Sequence, residues 1–471
     1  MNEDTIRKRL RTALGESNYP PDFTGQVAAR LAEPVHQEHH TWMLAVVAAA
    51  LALAVVGTLV FGVRGLHLRS DVPVKGPLGA LDPGNYACPG YGQIAMASGN
   101  DSPHPVKMSS ATTGWASGGL RTTDGGAHWR DVSPSALRDD APNQLSKALA
   151  PPGYSDYYLD ANRAWEARTY SSTTSCYDHI AIFGTLDGGR TWRVSEPVAL
   201  NLKPGWGASA QLFFVDTLNG WLWVRTGAAG QDGVMFVPFL EGALYRTEDG
   251  GLHWRLISNL VASKFGISIS KTCPSPFEVN LVFASPSNGW MPVCQGTDPD
   301  LLMTNDGGAT WSRQKLPTQT SVAACSCVVQ TPLFADPRNG LIQVSSYVDP
   351  SSLWLLGTVD GGRTWQAVAR PGTGFVLQLD FVDANHLWAL VTPPGWNKTS
   401  SAGFELYRTT NSGQTWTLVR TLVPAAWPPG YLQFVDAQHG FEASVNGASE
   451  LLVTADGGLS WQVIKPTIER G

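Results

Sequence analysis

The 471-residue chain is short of charge: 15% of its residues are Asp, Glu, Lys or Arg, against about 25% in an ordinary soluble domain. That deficit argues against helices with charged outer faces. The formal net charge is −6 and no long run of Lys or Arg occurs, so nothing draws a phosphate backbone and nucleic-acid binding is excluded. Catalytic signatures are missing too: there is no Gly-x-Ser-x-Gly elbow, no His-Glu-x-x-His helix and no phosphate-binding Gly-Lys-Ser loop. No motif implies an organic cofactor. Disorder is excluded by the opposite property, since a chain 43% hydrophobic and 10% aromatic can bury a core. With 49 Gly, 32 Pro and 18 Trp it reads as all-β, built of short strands joined by tight turns.

Charge is wholly absent from Thr41 to Val63, a span that opens near the interface-type Trp42. At ~1.5 Å per residue it is long enough to cross a ~30 Å hydrocarbon core, and it is expected to be a single transmembrane helix. A cleaved signal peptide is the alternative, disfavoured by the polar lead that precedes it. Arg7, Lys8, Arg9, Arg11 and Arg30 lie before the span and Arg64, Arg69 and Lys75 after it, which puts the N-terminus inside. All six cysteines (Cys88, Cys176, Cys273, Cys294, Cys325, Cys327) follow the span, an even number suited to disulfides in an oxidising compartment. The large domain is therefore expected outside the cell membrane. Cys325 and Cys327 are spaced poorly for a metal, and His36, His39 and His40 lack a scaffold, so no metal site is assigned.

The expected organisation is a cytoplasmic segment at 1–40, the helix at 41–63, a Gly- and Pro-rich linker at 64–94 and a repeat domain at 95–471. Ile6 to Leu14 and Phe23 to Leu31 read as two short amphipathic helices separated by Pro20-Pro21. They would meet the inner membrane surface or a cytoplasmic partner, unless the segment is simply a basic lead that fixes topology.

One motif recurs seven times. It centres on Asp124, Asp187, Asp249, Asp306, Asp360, Asn411 and Asp456, each followed by Gly-Gly or Ser-Gly, with Trp five positions on. A Thr stands two positions before every one (Thr122, Thr185, Thr247, Thr304, Thr358, Thr409, Thr454). The Asp side chain turns back onto backbone N–H groups, Gly supplies positive φ, and Trp starts the return strand. A phosphate or calcium loop would need further acidic ligands that these repeats lack, so the residues are assigned to structure.

A second motif alternates with the first: Phe214-Val215-Asp216 to Gly220-Trp221, Phe381-Val382-Asp383 to Leu387-Trp388 and Phe434-Val435-Asp436 to Gly440-Phe441, with looser copies elsewhere. Each reads as strand, turn, strand. Repeats of four antiparallel strands, spaced 63 residues apart at Asp124 and Asp187 and 45 at Asn411 and Asp456, describe a seven-bladed β-propeller. A linear solenoid fits poorly, for nothing resembles a capping repeat.

The Thr-x-Asp-Gly-Gly-x-Thr-Trp pattern resembles the Asp-box, or bacterial neuraminidase repeat. Combined with Phe-Val-Asp-x-x-x-Gly-Trp it is similar to propellers of the photosystem II stability and assembly factor type, over roughly residues 105 to 465. That resemblance implies a protein-binding platform, although the anchor and polar lead depart from that family's soluble or lipid-anchored form, and no photosynthetic role carries over. Asp-boxes also occur in sialidases and xyloglucanases. The Arg-Ile-Pro type motif of sialidases is absent, and xyloglucanases resemble a pair of propellers where this chain has one.

Both motifs occupy turns on one face, so the long, unrepeated segments converge on the other. These include 133–153, 166–179, 198–210, 225–241, 292–300, 392–403 and 421–430. Arg168, Tyr170, Trp206, Trp396, Lys398 and Trp427 are candidate ligand contacts there, with Asp298 and Asp300 nearby. The expected function is a non-catalytic scaffold binding a protein or a cell-surface glycan. The alternatives are a glycoside hydrolase, sialidase-like or related, drawing its carboxylates from Glu166, Asp232 and Glu241, which must stand about 5 to 10 Å apart, and a sensor coupling an outer ligand to the N-terminal segment.

Overall fold

The computed structural model describes residues 106–134, 154–170, 179–200, 206–228, 241–261, 281–293, 300–317, 327–346, 353–393, 403–422, 431–443 and 450–469. The proposed cytoplasmic segment, membrane span and linker lie outside the described residues. Contacts divide the chain into Met1–Gly79 and Ala80–Gly471, and everything described belongs to the second unit. Among the described residues no helix is long and apolar enough to cross a membrane.

Seven antiparallel sheets of four sequential strands form the blades, at 106–131, 154–199, 206–261, 282–315, 327–368, 376–422 and 431–464. This is a seven-bladed all-β propeller. Blades 2 and 5 each carry one extra short strand. Blade 1 is completed from the other end of the chain: Thr467–Glu469 adds outside His128–Asp131 as a parallel fifth strand, with Ile468 opposite Trp129.

The two repeated motifs explain why the blades pack. The second strand of a blade carries Trp at its second position in five of seven repeats, and that Trp stacks on the inner-strand aromatic of the next blade. Trp165 lies 3.7 Å from Phe214 at 7°, Trp221 3.7 Å from Phe283 at 6°, and Trp388 4.2 Å from Phe434 at 13°. The Trp of the Asp-Gly-Gly turn meets the same Phe edge-on, as Trp254 does Phe214 at 83° and Trp461 does Phe434 at 79°. Each Phe is thus held between its own blade's Trp and its neighbour's, at about 0.5–1.5 kcal/mol per aromatic pair beyond burial. Where the second-strand residue is Leu341 or Phe441, apolar packing against Phe381 or Met108 replaces the stack.

The indole N–H fixes rotation as well. Trp165 donates to Gly250 O at 2.9 Å and Trp221 to Gly307 O at 2.8 Å, each in the next blade's turn. In that turn the Thr hydroxyl donates to Asp, as Thr247 does to Asp249 at 2.8 Å, and accepts the Gly251 N–H at 2.9 Å. Gly250 and Gly251 sit at φ 78° and 93°, which is why the motif demands glycine. The sixth turn departs from the rule: Ser412 takes φ 58° and its hydroxyl donates to Ala384 O at 2.8 Å.

Candidate functional site

Chain direction puts the connections between second and third strands, and those between blades, at one end of the propeller. The strands reach further into these segments than the sequence suggests. Glu166 and Arg168, expected in a loop, belong to the strand Ala164–Tyr170, and Asp300 opens Asp300–Thr304. Trp206 opens the inner strand Trp206–Phe214, opposite Ala228, and Glu241 opens Glu241–Thr247, opposite Thr226 and Val261. Tyr170 ends its strand opposite His179. Tyr170, Trp206 and Glu241 therefore stand at strand ends on the loop-bearing side. Asp232, Asp298, Trp396, Lys398 and Trp427 lie outside the described residues.

Beneath that end, between blades 1 and 2, is a buried charged cluster. Strand alternation sends Asp156 and Tyr158 of the inner strand Tyr154–Tyr158, and Glu166 and Arg168 of the next, toward blade 1. Glu166 is 0% exposed, Arg168 and Asp156 6% each. Arg168 donates to Glu166 Oε2 at 2.5 Å and to Asp156 Oδ1 at 3.0 Å. Asp156 Oδ2 accepts the Gly118 N–H and the Tyr158 hydroxyl, both at 3.1 Å. The second strand-to-third strand turn of blade 1 closes over this cluster. A Cβ on Gly119, whose φ is +70°, would fall 2.8 Å from Glu166 Oε1 and 2.7 Å from the Ser133 Cβ.

Two carboxylates face one guanidinium here. Burial, the largest effect, raises the Glu166 carboxyl, Arg168 pulls it down, and Asp156 and Asp131 add to the rise. Burial also drives the Tyr158 hydroxyl well above its ordinary value. Glu166 Oε1 has no hydrogen-bond partner among the described residues. Asp300 is likewise buried, in an ion pair with Arg313 at 3.3 Å.

The inner strands carry a second polar set that motif reading passed over. Each reaches from one blade to the backbone of the next: Lys107 Nζ donates to Tyr158 O at 2.7 Å, Ser155 Oγ accepts the Leu212 N–H at 2.9 Å, and Gln378 Oε1 accepts that of Leu432 at 2.7 Å. Asp380 accepts the Phe434 N–H at 2.5 Å. Burial pushes the Asp380 carboxyl up to about 7 despite that bond and the attraction of Lys107. Only the alternation of Gln, Asp and Lys on otherwise apolar strands signals this ring in the sequence. Among the described residues no group of three His, Cys, Asp or Glu side chains is placed to hold a metal. Cys327 opens the strand Cys327–Val329, and Cys325 lies outside the described residues.

No known protein family matches the sequence, and no curated protein is similar to it. Solved structures do match. YCF48 bound to a D1 peptide is 18% identical, covers 66% of this chain and 82% of its own, and has a TM-score of 0.38. An ulvan lyase of polysaccharide lyase family PL25 is 11% identical over 66% and 82%, with a TM-score of 0.37. An uncharacterised Listeria monocytogenes protein is 10% identical over 78% and 94%, with a TM-score of 0.42. Likeness at this level bears on nothing beyond the propeller that the strand topology already shows.

Proposed function

We propose that this chain is a membrane-anchored binding propeller, held by residues 41–63, that presents the loop-bearing end of the domain outside the cell to a protein or a cell-surface glycan. Its seven turns are read as Asp-boxes that build blades and do no chemistry. One observation carries the non-catalytic part of this reading. Glu166, the hydrolase candidate with a described side chain, is fully buried, and its Oε2 is committed to Arg168. A glycosidase needs carboxyl groups open to the sugar from both sides. Glu166 and Arg168 act instead within a buried clamp of blade 2 that reaches blade 1 through Asp156, whose Oδ2 accepts the Gly118 N–H, and that supports the platform on which the long segments stand.

The reading is tested with a photo-crosslinking amino acid placed at Tyr170 or Trp206 in the full chain in its membrane, against one at Leu218 or Leu459 on the turn face. Leu218 and Leu459 are 55% and 60% exposed, so both controls are open to solvent. Adducts from the loop-bearing end alone support the proposal. Adducts from the turn face alone contradict it.

A further inference from the structure

We propose that the cleft between blades 1 and 2, on the side of the Asp-Gly-Gly turn, binds a divalent oxyanion, phosphate or sulfate, free or as a monoester, through Arg130 and Arg190 with Arg121 behind them. The cleft measures about 490 Å³ and is lined by these three arginines, Asp131, and residues of the turn around Gly188. It lies apart from the loop-bearing end and goes beyond the binding role proposed there.

The three arginines differ in how they are held. Arg121 is fixed: its Nε and Nη2 donate to Ala161 O at 3.3 and 3.1 Å, and its guanidinium lies over the Trp115 ring at 5.7 Å. Gly188 presses on it closely, since a Cβ there would come 2.8 Å from Arg121 Cζ. Arg130 and Arg190 have no hydrogen-bond or ion-pair partner among the described residues. They converge because strand alternation buries Trp129 and turns Arg130 toward blade 2, whose turn presents Arg190.

Positive charge in the cleft is in excess. Three guanidiniums and one carboxylate line it, and the carboxylate is engaged: Asp131 Oδ1 accepts the Ser133 N–H at 2.9 Å and its hydroxyl at 2.5 Å. Asp187, in the same turn as Arg190, is occupied by Thr185 and Thr191 at 2.9 and 2.6 Å. Glu469 on the closing strand stands in register with Arg130 without pairing to it. Burial and the neighbouring Arg190 both disfavour the Arg121 cation, with Asp187 opposing them. Guanidiniums that line one cleft favour a dianion, which their forks bind bidentately.

Inorganic phosphate is titrated into the full chain in detergent micelles at constant ionic strength held with chloride, by calorimetry and tryptophan fluorescence. Trp192 reports the site, because its indole donates to Val132 O at 2.6 Å and Val132 lines the cleft. Saturable binding that weakens at least about tenfold in Arg130→Ala/Arg190→Ala supports the proposal. Arg190→Gln provides the same comparison with a side chain of similar length, and the unfolding midpoint in chloride checks each variant. Glucose 6-phosphate distinguishes the sources: competition assigns the group to a ligand as a monoester, and its failure beside phosphate binding assigns the free ion. No saturable binding above chloride, or equal affinity in the double variant, overturns the proposal.

Discussion

Gln433 of blade 7 takes both backbone groups of Met108 in blade 1: its Oε1 accepts the Met108 N–H and its Nε2 donates to the Met108 carbonyl, each at 2.8 Å. The two residues are 325 positions apart. Inner strands have no strand partner on the channel side, so their backbone groups need side chains from the neighbouring blade. Here one amide satisfies both and joins the first blade to the last.

Removing that amide tests the closure. Gln433→Ala is expected to destabilise the propeller by about 1–3 kcal/mol, the cost of leaving buried backbone groups unpaired. Gln433→Glu keeps the acceptor and loses the donor, so it is expected to fall between the two. Urea unfolding of the three chains orders them.

The clamp beneath blade 1 makes a stronger claim. Arg168→Met leaves Glu166 and Asp156 buried without their cation and is expected to cost about 3–5 kcal/mol. Pairing it with Glu166→Gln recovers part of the loss, because one carboxylate no longer needs the guanidinium. A double-mutant cycle that shows additivity contradicts the clamp.

Asp380 predicts a loss of stability toward alkaline pH. Its carboxyl is raised from 3.8 to about 7, so its favourable contribution is complete below about pH 4 and lost as pH rises through 7. Asp380→Asn removes this dependence while keeping an oxygen for the Phe434 N–H. Thermal midpoints of both chains from pH 4 to 8 are expected to diverge with rising pH, the variant standing higher at pH 8.

The turns predict the acid limb. Hydrogen bonds from the Ser460 hydroxyl, the Ser460 N–H and Thr454 hold the Asp456 carboxyl down at about 2. Asp360 also falls to about 2, where bonds from Thr364 and Thr358 overcome the opposing effect of burial. A depressed carboxyl contributes stability above its unfolded value that is lost as pH falls through the folded one. Stability is therefore expected to drop between about pH 4 and 2, and Asp456→Asn to reduce that drop.

The propeller was legible because its signals are local and repeated. Thr247, Asp249 and Gly251 write their hydrogen bonds within five residues, and the Phe and Trp of both motifs recur at fixed offsets. The partners of those rings were not legible, since Trp165 meets Phe214 across a blade boundary that no local spacing encodes. The site was harder still. Glu166 and Arg168 two positions apart gave no sign of burial, because their shelter comes from Gly118 and Gly119 of the preceding blade. The closing strand Thr467–Glu469 is short and exposed, and only its pairing with His128–Asp131 reveals it.

The central claim, that this propeller binds and does not hydrolyse, is met most directly by a panel of fluorogenic glycosides, sialosides included, given to the full chain and to Glu166→Gln. No fluorophore release above the blank from either folded protein is the predicted result. Turnover by the wild type that vanishes in Glu166→Gln, with the unfolding curve unchanged, would place Glu166 at a catalytic centre and contradict the account.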